Sequence, residues 1–223
     1  MAEFMGPDFL LTTEAAKTLY HNYAESCPII DYHCHLSPRD IYEDRRYDDI
    51  AGAWLGGDHY KWRLMRAAGV EERFVTGDAP AREKFQKWAE TLERSIGNPL
   101  YHWSHLELAR FFGIREPLTS RNAGMVFEKC SAMLQTPSHS ARGLIAMSNV
   151  DVLCTTDDPA DSLQWHDLLK KDPSFPALVL PAWRPDRAMA IASEGFPDYL
   201  KQLEAASGVE IRSFSSLLQA LFL

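Results

Sequence analysis

The chain has 223 residues, 46% of them apolar and 24% charged, with a formal net charge of −8. That composition is ordinarily globular and long enough for one or two domains. No Lys/Arg cluster interleaved with aromatics occurs, which argues against a nucleic-acid partner, and the longest apolar run, about Pro176 to Trp183, is far short of a membrane span.

The first residues, Met1-Ala2-Glu3-Phe4-Met5, lack a basic region followed by an apolar stretch, so no signal peptide is expected. The four cysteines (Cys27, Cys34, Cys130, Cys154) have no framework spacing and no C-x-x-C. A soluble, cytoplasmic protein with reduced thiols is the expectation.

Residues 12–26 predict a helix. Thr12 or Thr13 can cap it, Glu14 sits in its first turn, and Ala16, Leu19, Tyr20 and Tyr23 recur at helical spacing. It reads as an outer helix closing the bottom of the strand that follows.

Pro28 ends that segment, and Ile29-Ile30 start a short run that reads as a buried strand. Strand side chains alternate faces, so in Asp31-Tyr32-His33-Cys34-His35 the two imidazoles point one way and Cys34 the other. Two imidazoles at the C-terminal end of a strand can share a divalent metal, and their donor type suits zinc. With eight His in the chain, a His-x-His spacing arises by chance roughly 0.3 times, so two polar residues merely closing a strand is the competing reading. Ser37-Pro38 opens a loop.

From residue 39 to about 148 the pattern is helical with no convincing strand. A helix ends at Gly56-Gly57. Asp58 caps another running to Gly69. Residues 81–96 carry Phe85, Trp88, Ala89, Leu92 and Ile96 on one face. Further helices are predicted over 100–112, about 120–135 and 138–147. This block is too long for one crossover helix and reads as an inserted subdomain. Two strands follow, Val150–Thr156 and Ala177–Trp183, each with a helix after it, at about 159–170 and 188–206. Ser213 caps a last helix. The βα alternation argues for a parallel sheet covered by helices. The expected class is therefore α/β, the start of a (β/α)8 TIM-type barrel with three strands and an all-helical insertion after the first. The expected divisions are 1–38 (helix and first strand), 39–148 (helical insertion) and 149–223 (second and third βα units).

Several polar residues invite a chemical reading. Gly56-Gly57-Asp58-His59-Tyr60-Lys61-Trp62-Arg63 puts His59 and Tyr60 in the first turn of a helix, where free N–H groups and the dipole favour an anion. Tyr60 could move a proton there; an ordinary capped helix is the plainer reading. Arg184, at a strand end, can clamp a carboxylate or pair with Asp186 or a neighbouring Asp. Asp157 or Asp158 can ligate a metal, or more plainly cap the helix that Pro159 begins. His102 and His105 are read as packing polar edges, His21, His139 and His166 have no partner legible in the sequence, and no base partner supports a catalytic thiol.

Five segments together resemble a known family. They are Asp31–Pro38, Trp54–Arg63, Gly97-Asn98-Pro99-Leu100-Tyr101-His102-Trp103, Cys154-Thr155-Thr156-Asp157-Asp158-Pro159 and Trp183-Arg184-Pro185-Asp186. They closely resemble the uronate isomerase (glucuronate isomerase) family of the amidohydrolase superfamily, over essentially the whole chain. The resemblance implies a metal-dependent barrel that interconverts D-glucuronate with D-fructuronate and D-galacturonate with D-tagaturonate, in sugar-acid catabolism. It implies His33 and His35 as the first two metal ligands, His59 and Tyr60 in contact with the sugar, Tyr60 as the proton carrier, and Arg184 near the substrate.

In that family a further metal-site His and a late Asp come from a later part of the chain. The resemblance therefore implies an N-terminal half, unstable and inactive alone. Its expected partners are a hexuronate and either further copies in a homo-oligomer or a complementary C-terminal half. Two other readings compete: a metal-dependent hydrolase of the same superfamily, and a non-catalytic fragment that needs a second chain.

Overall fold

Parallel strands cannot be joined by tight turns, so each needs a crossover. The computed structural model, which describes residues 4–222, has this order. Strands β1 (Ile29–Asp31), β2 (Val150–Asp157) and β3 (Leu178–Trp183) form one parallel sheet in the order β1-β2-β3. The helices in chain order are α1 (Glu14–Leu19), α2 (Pro38–Tyr42), α3 (Ile50–Leu55), α4 (His59–Ala67), α5 (Ala81–Glu93) and α6 (Pro99–Phe112). They continue with α7 (Ala123–Leu134), α8 (Ala141–Met147), α9 (Gln164–Lys170), α10 (Asp186–Met189), α11 (Phe196–Ser207) and α12 (Phe214–Phe222). The α/β class read from the sequence is the class observed.

The chain divides into two compact units: Met1–Cys27 with Asp44–Ser148, and Pro28–Glu43 with Asn149–Leu223. The stretch read as one opening division, 1–38, is thus shared between them. The reason lies in its partners. The Ile29 amide donates to the Asn149 carbonyl at 2.8 Å, and Tyr42 packs on Trp165 at 5.6 Å between ring centroids.

The helical unit closes a core of its own. On α5, Phe85, Trp88, Ala89 and Leu92 are fully buried, at the three-to-four spacing the sequence displays. They pack with Trp54, Met65, Leu108, Val126 and Leu134. Each large apolar side chain so buried contributes about 1.5–3 kcal/mol. Gly113 takes a left-handed φ of 62° and stops α6, a conformation that costs a side-chain-bearing residue more.

In the sheet unit the two faces of the sheet differ. One face carries Leu153 and Val179 in register, with Thr155 and Asp157 further along β2, and all four are buried. On the other, the register aligns Ile30, Val152 and Leu178, then Cys154 and Leu180, then Thr156 and Ala182. That second face is open: Ile30 is 67% exposed, and Leu178 and Leu180 are exposed too. It runs from apolar rows to a polar row at the C-terminal end of the strands.

Five expectations need correction. The strand Ile29–Ile30 is exposed rather than buried, because β1 pairs only with β2 among the described residues and its open face is bare. Helix α1 buries nothing; Leu19 and Tyr23 are exposed, and a π-helical stretch over Tyr20–Ala24 shifts the face. The helix expected over 159–170 begins only at Gln164, after a turn. The helix expected over 188–206 is two helices, α10 and α11, because Pro197 lacks an N–H and tolerates only the first turn of a helix. Ile96 falls beyond the end of α5 and is exposed.

Candidate functional site

His33 and His35 follow β1 rather than lying in it, since the strand ends at Asp31. Strand alternation therefore does not set their directions. Backbone pairing does part of that work: the Cys34 amide donates to the Cys154 carbonyl at 2.9 Å, so the loop runs along β2 beyond the last strand residue. The His33 amide donates to Asp31 Oδ1 at 3.3 Å. The two imidazole centroids lie 5.0 Å apart, with ring planes at 86°. His35 Nδ1 is 3.4 Å from Thr156 Oγ1, in the polar row of the open face. Ser37 then accepts the Asp40 amide and caps α2 directly, where a loop was expected. Both imidazoles are exposed. Two imidazoles are half of a tetrahedral donor set, and no group of three His, Cys, Asp or Glu able to hold an ion occurs among the described residues. The pair fits a divalent metal as a partial site.

Behind this face lies a polar network that the sequence reading missed. The Thr155 hydroxyl donates to Asp157 Oδ2 at 2.7 Å and lies 2.8 Å from His166 Nε2. The hydroxyl has one hydrogen, and the charged acceptor takes it, so His166 donates through Nε2. Asp157 Oδ2 also accepts the Ala182 amide at 3.3 Å, and the Asp157 carbonyl accepts the Arg184 amide at 2.9 Å. The network thus ties α9 and the end of β3 to β2. Its signal was available: alternation along β2 puts Thr155 and Asp157 on the buried face with Leu153, where polar groups need partners.

Asp158 caps only a turn, accepting the Ala160 amide at 2.9 Å. Arg184 pairs with Asp186, Nε to Oδ2 at 2.7 Å, one of the alternatives left open by the sequence. Both side chains are well exposed, so the pair is worth about 0–1 kcal/mol and leaves the guanidinium free to exchange partners.

His59 and Tyr60 belong to the helical unit, at the start of α4. Here the expectation of free N–H groups fails. Asp58 Oδ1 accepts the Tyr60 and Lys61 amides at 2.9 and 3.0 Å, and Oδ2 takes the Lys61 ammonium at 2.7 Å. The anion at this helix end is Asp58 itself. Burial works to raise its carboxyl, but the Lys61 hydrogen bonds outweigh it and hold the group below the usual range. Nearby, burial pushes the Glu107 carboxyl up. The side chains of His59 and Tyr60 point to solvent; His59 meets Trp62 edge-on at 4.9 Å, and Tyr60 is 68% exposed.

The remaining histidines are structural. His105 is buried, with Nδ1 2.7 Å from the Tyr101 carbonyl and Nε2 accepting the Leu118 amide at 2.8 Å. That fixes the neutral Nδ1–H tautomer. His139 bridges the Phe111 carbonyl and Ser138, and His21 lies between Asp8 and Glu25. Burial raises the Cys34 thiol and takes Cys130 to about 12, so neither is a ready thiolate.

The profile of the glucuronate isomerase family matches residues 1–222. The chain belongs to that family. A uronate isomerase of Lachnoclostridium phytofermentans is 57% identical over 221 residues, covering 99% of this chain and 47% of its own length. One from Bacillus subtilis is 53% identical over the same shares. Among solved structures, the uronate isomerase of Thermotoga maritima superposes with a TM-score of 0.90 at 36% identity, over 99% of this chain and 48% of its own. The glucuronate isomerase of Caulobacter crescentus gives a TM-score of 0.84 at 25% identity, over 99% and 47%. The chain therefore spans about half the length of the curated relatives it matches, and the family's fold extends over both units.

Proposed function

We propose that this chain contributes one half of a hexuronate isomerase of the TIM-barrel, amidohydrolase type. It would convert D-glucuronate to D-fructuronate and D-galacturonate to D-tagaturonate in the cytoplasm. The observation that carries the reading is the His33–His35 pair, its rings 5.0 Å apart, at the C-terminal end of a parallel sheet. The family match agrees with it.

The reaction moves a carbonyl from C1 to C2, so one proton must leave C2 and one must reach C1. His33 and His35 would hold a divalent ion, zinc by donor type. When bound, such an ion polarises oxygen and stabilises enediolate charge. The chain's own residues do the rest. Tyr60 would carry the proton between the two carbons. His59 would hydrogen-bond the sugar hydroxyls. Arg184 would exchange Asp186 for a substrate oxyanion.

The open face of Ile30, Leu178 and Leu180 supports a partner that brings further strands and closes the barrel, since closure removes exposed sheet edges. On this reading the 223-residue chain alone is inactive. The test is to co-express it with a chain supplying the remaining half of a relative and to follow both hexuronates by NMR with added zinc. Conversion by the assembly, absent in the His33→Ala and Tyr60→Phe variants, is expected. A metal-loaded assembly that leaves both sugars unchanged while cleaving an activated ester sinks the isomerase reading in favour of a hydrolase.

A further inference from the structure

A groove of about 480 Å³ opens in the helical unit between α4 and the start of α6, with Tyr60, Arg63, Asn98 and Trp103 on its walls and Leu64 and Leu100 in its floor. That size is within the roughly 300–1,000 Å³ range of small-molecule sites. Three features mark it as more than a surface dent. First, Arg63 has no carboxylate partner among the described residues; its guanidinium lies 5.8 Å from the Tyr60 ring centroid. Most other arginines here whose contacts are described, such as Arg66 with Glu72 and Arg184 with Asp186, are already paired. Secondly, Asn98 spends its carbonyl on the Leu100 amide at 2.9 Å, capping α6, and its NH2 has no acceptor among the described residues. Thirdly, Trp103 is 56% exposed and Tyr60 68%, so two large aromatics present much of their surface to solvent.

Cation, amide donor and flat aromatic face form a complementary set. A guanidinium binds a carboxylate in bidentate fashion, an amide meets hydroxyls, and an indole covers the apolar face of a sugar ring. We propose that Arg63 is the specificity-determining cation of the Tyr60 site, receiving the carboxylate of a hexuronate whose ring lies on Trp103. This rests on the hexuronate reading and sharpens it: selection for the acid over the neutral sugar comes from Arg63, five residues from the α4 cap, and not from the helix N–H groups that Asp58 has filled.

The experiment follows the Trp103 indole N–H and Tyr60 ring resonances of the full chain by NMR during titration with D-galacturonate, D-galactose and D-gluconate. D-Galacturonate is expected to shift both residues and to bind at least about tenfold more tightly than D-galactose, with Arg63→Gln removing that preference and Arg63→Lys restoring part of it. Arg63 is exposed, so these variants leave the core intact. Equal binding of acid and neutral sugar, or acid binding unchanged in Arg63→Gln, overturns the proposal. Shifts confined to His33 and His35 also overturn it while leaving the hexuronate reading standing. Arg63-dependent shifts with D-gluconate but none with D-galacturonate overturn the substrate assignment and with it the hexuronate reading.

Discussion

The Cys34 amide and the Cys154 carbonyl, 2.9 Å apart, continue the β1–β2 pairing past the end of β1. This bond holds the segment between His33 and His35 against β2, so it presets the imidazole pair. It uses the backbone of residue 34 and not its thiol. Cys34→Ser should therefore leave metal binding unchanged. Cys34→Pro removes the donor and should weaken zinc binding about tenfold, the scale of one hydrogen bond. Isothermal titration of zinc into the three proteins measures this, with His35→Ala as the control that abolishes binding.

His105 supplies the clearest pH effect. Burial holds its imidazole below its ordinary 6.5, ahead of the Tyr101 carbonyl that acts the other way. The unfolded chain therefore binds this proton more readily than the folded one between the two values. Stability is complete above about pH 6.5 and falls as the pH drops through that window. The structural reason is that Nε2 accepts the Leu118 amide, which a protonated ring cannot do. Urea midpoints by Trp fluorescence should decrease from about pH 7.5 to about pH 5.5. His105→Ala should cost about 1–3 kcal/mol, leave the buried Leu118 amide unpaired and flatten the decrease. An unchanged slope in that variant would assign the effect elsewhere.

Asp58 has two separable duties, the cap on α4 and the partner of the buried Lys61. Asp58→Ala loses both, and Asp58→Asn keeps the cap. The cap alone is worth about 0.5–2 kcal/mol. The loss in unfolding free energy should follow Asp58→Ala over Asp58→Asn, with Asp58→Asn still destabilised because Lys61 keeps a desolvated charge. Equal losses in the two variants would mean that the cap contributes nothing. Because the carboxyl is held below its ordinary 3.8, this contribution persists down to that value and disappears only as the pH falls further.

Much of this was readable in the residues. The face of α5, the Asp58 cap and the extents of β2 and β3 follow from spacing and cap chemistry, which are local. What the sequence hid depends on neighbours. Ile29 and Ile30 have the composition of a buried strand, yet burial needs a covering layer that composition does not specify. The seat of the His33–His35 loop on β2 depends on a backbone bond to a strand more than a hundred residues away. Asp157 looked like a helix cap because Pro159 follows it; the partners that bury it, Thr155 and His166, are legible only once alternation along β2 is joined to the position of α9.

The open sheet face gives the sharpest test of closure by added strands. Leu178 and Leu180 alternate along β3 on the side away from Val179, and both are exposed. Replacing an exposed leucine removes little burial, so Leu178→Glu with Leu180→Glu should change the stability of the chain alone by less than about 1 kcal/mol. It should also reduce binding of a hydrophobic dye, because the exposed apolar patch is what recruits it. In a closed barrel the same positions point inward, and two unpaired carboxylates there would cost several kcal/mol. Co-purification with a chain carrying the remaining half should therefore fail for the double variant and succeed for the parent. If the double variant assembles as well as the parent, the face is not the interior of a closed barrel, and the partner must attach elsewhere.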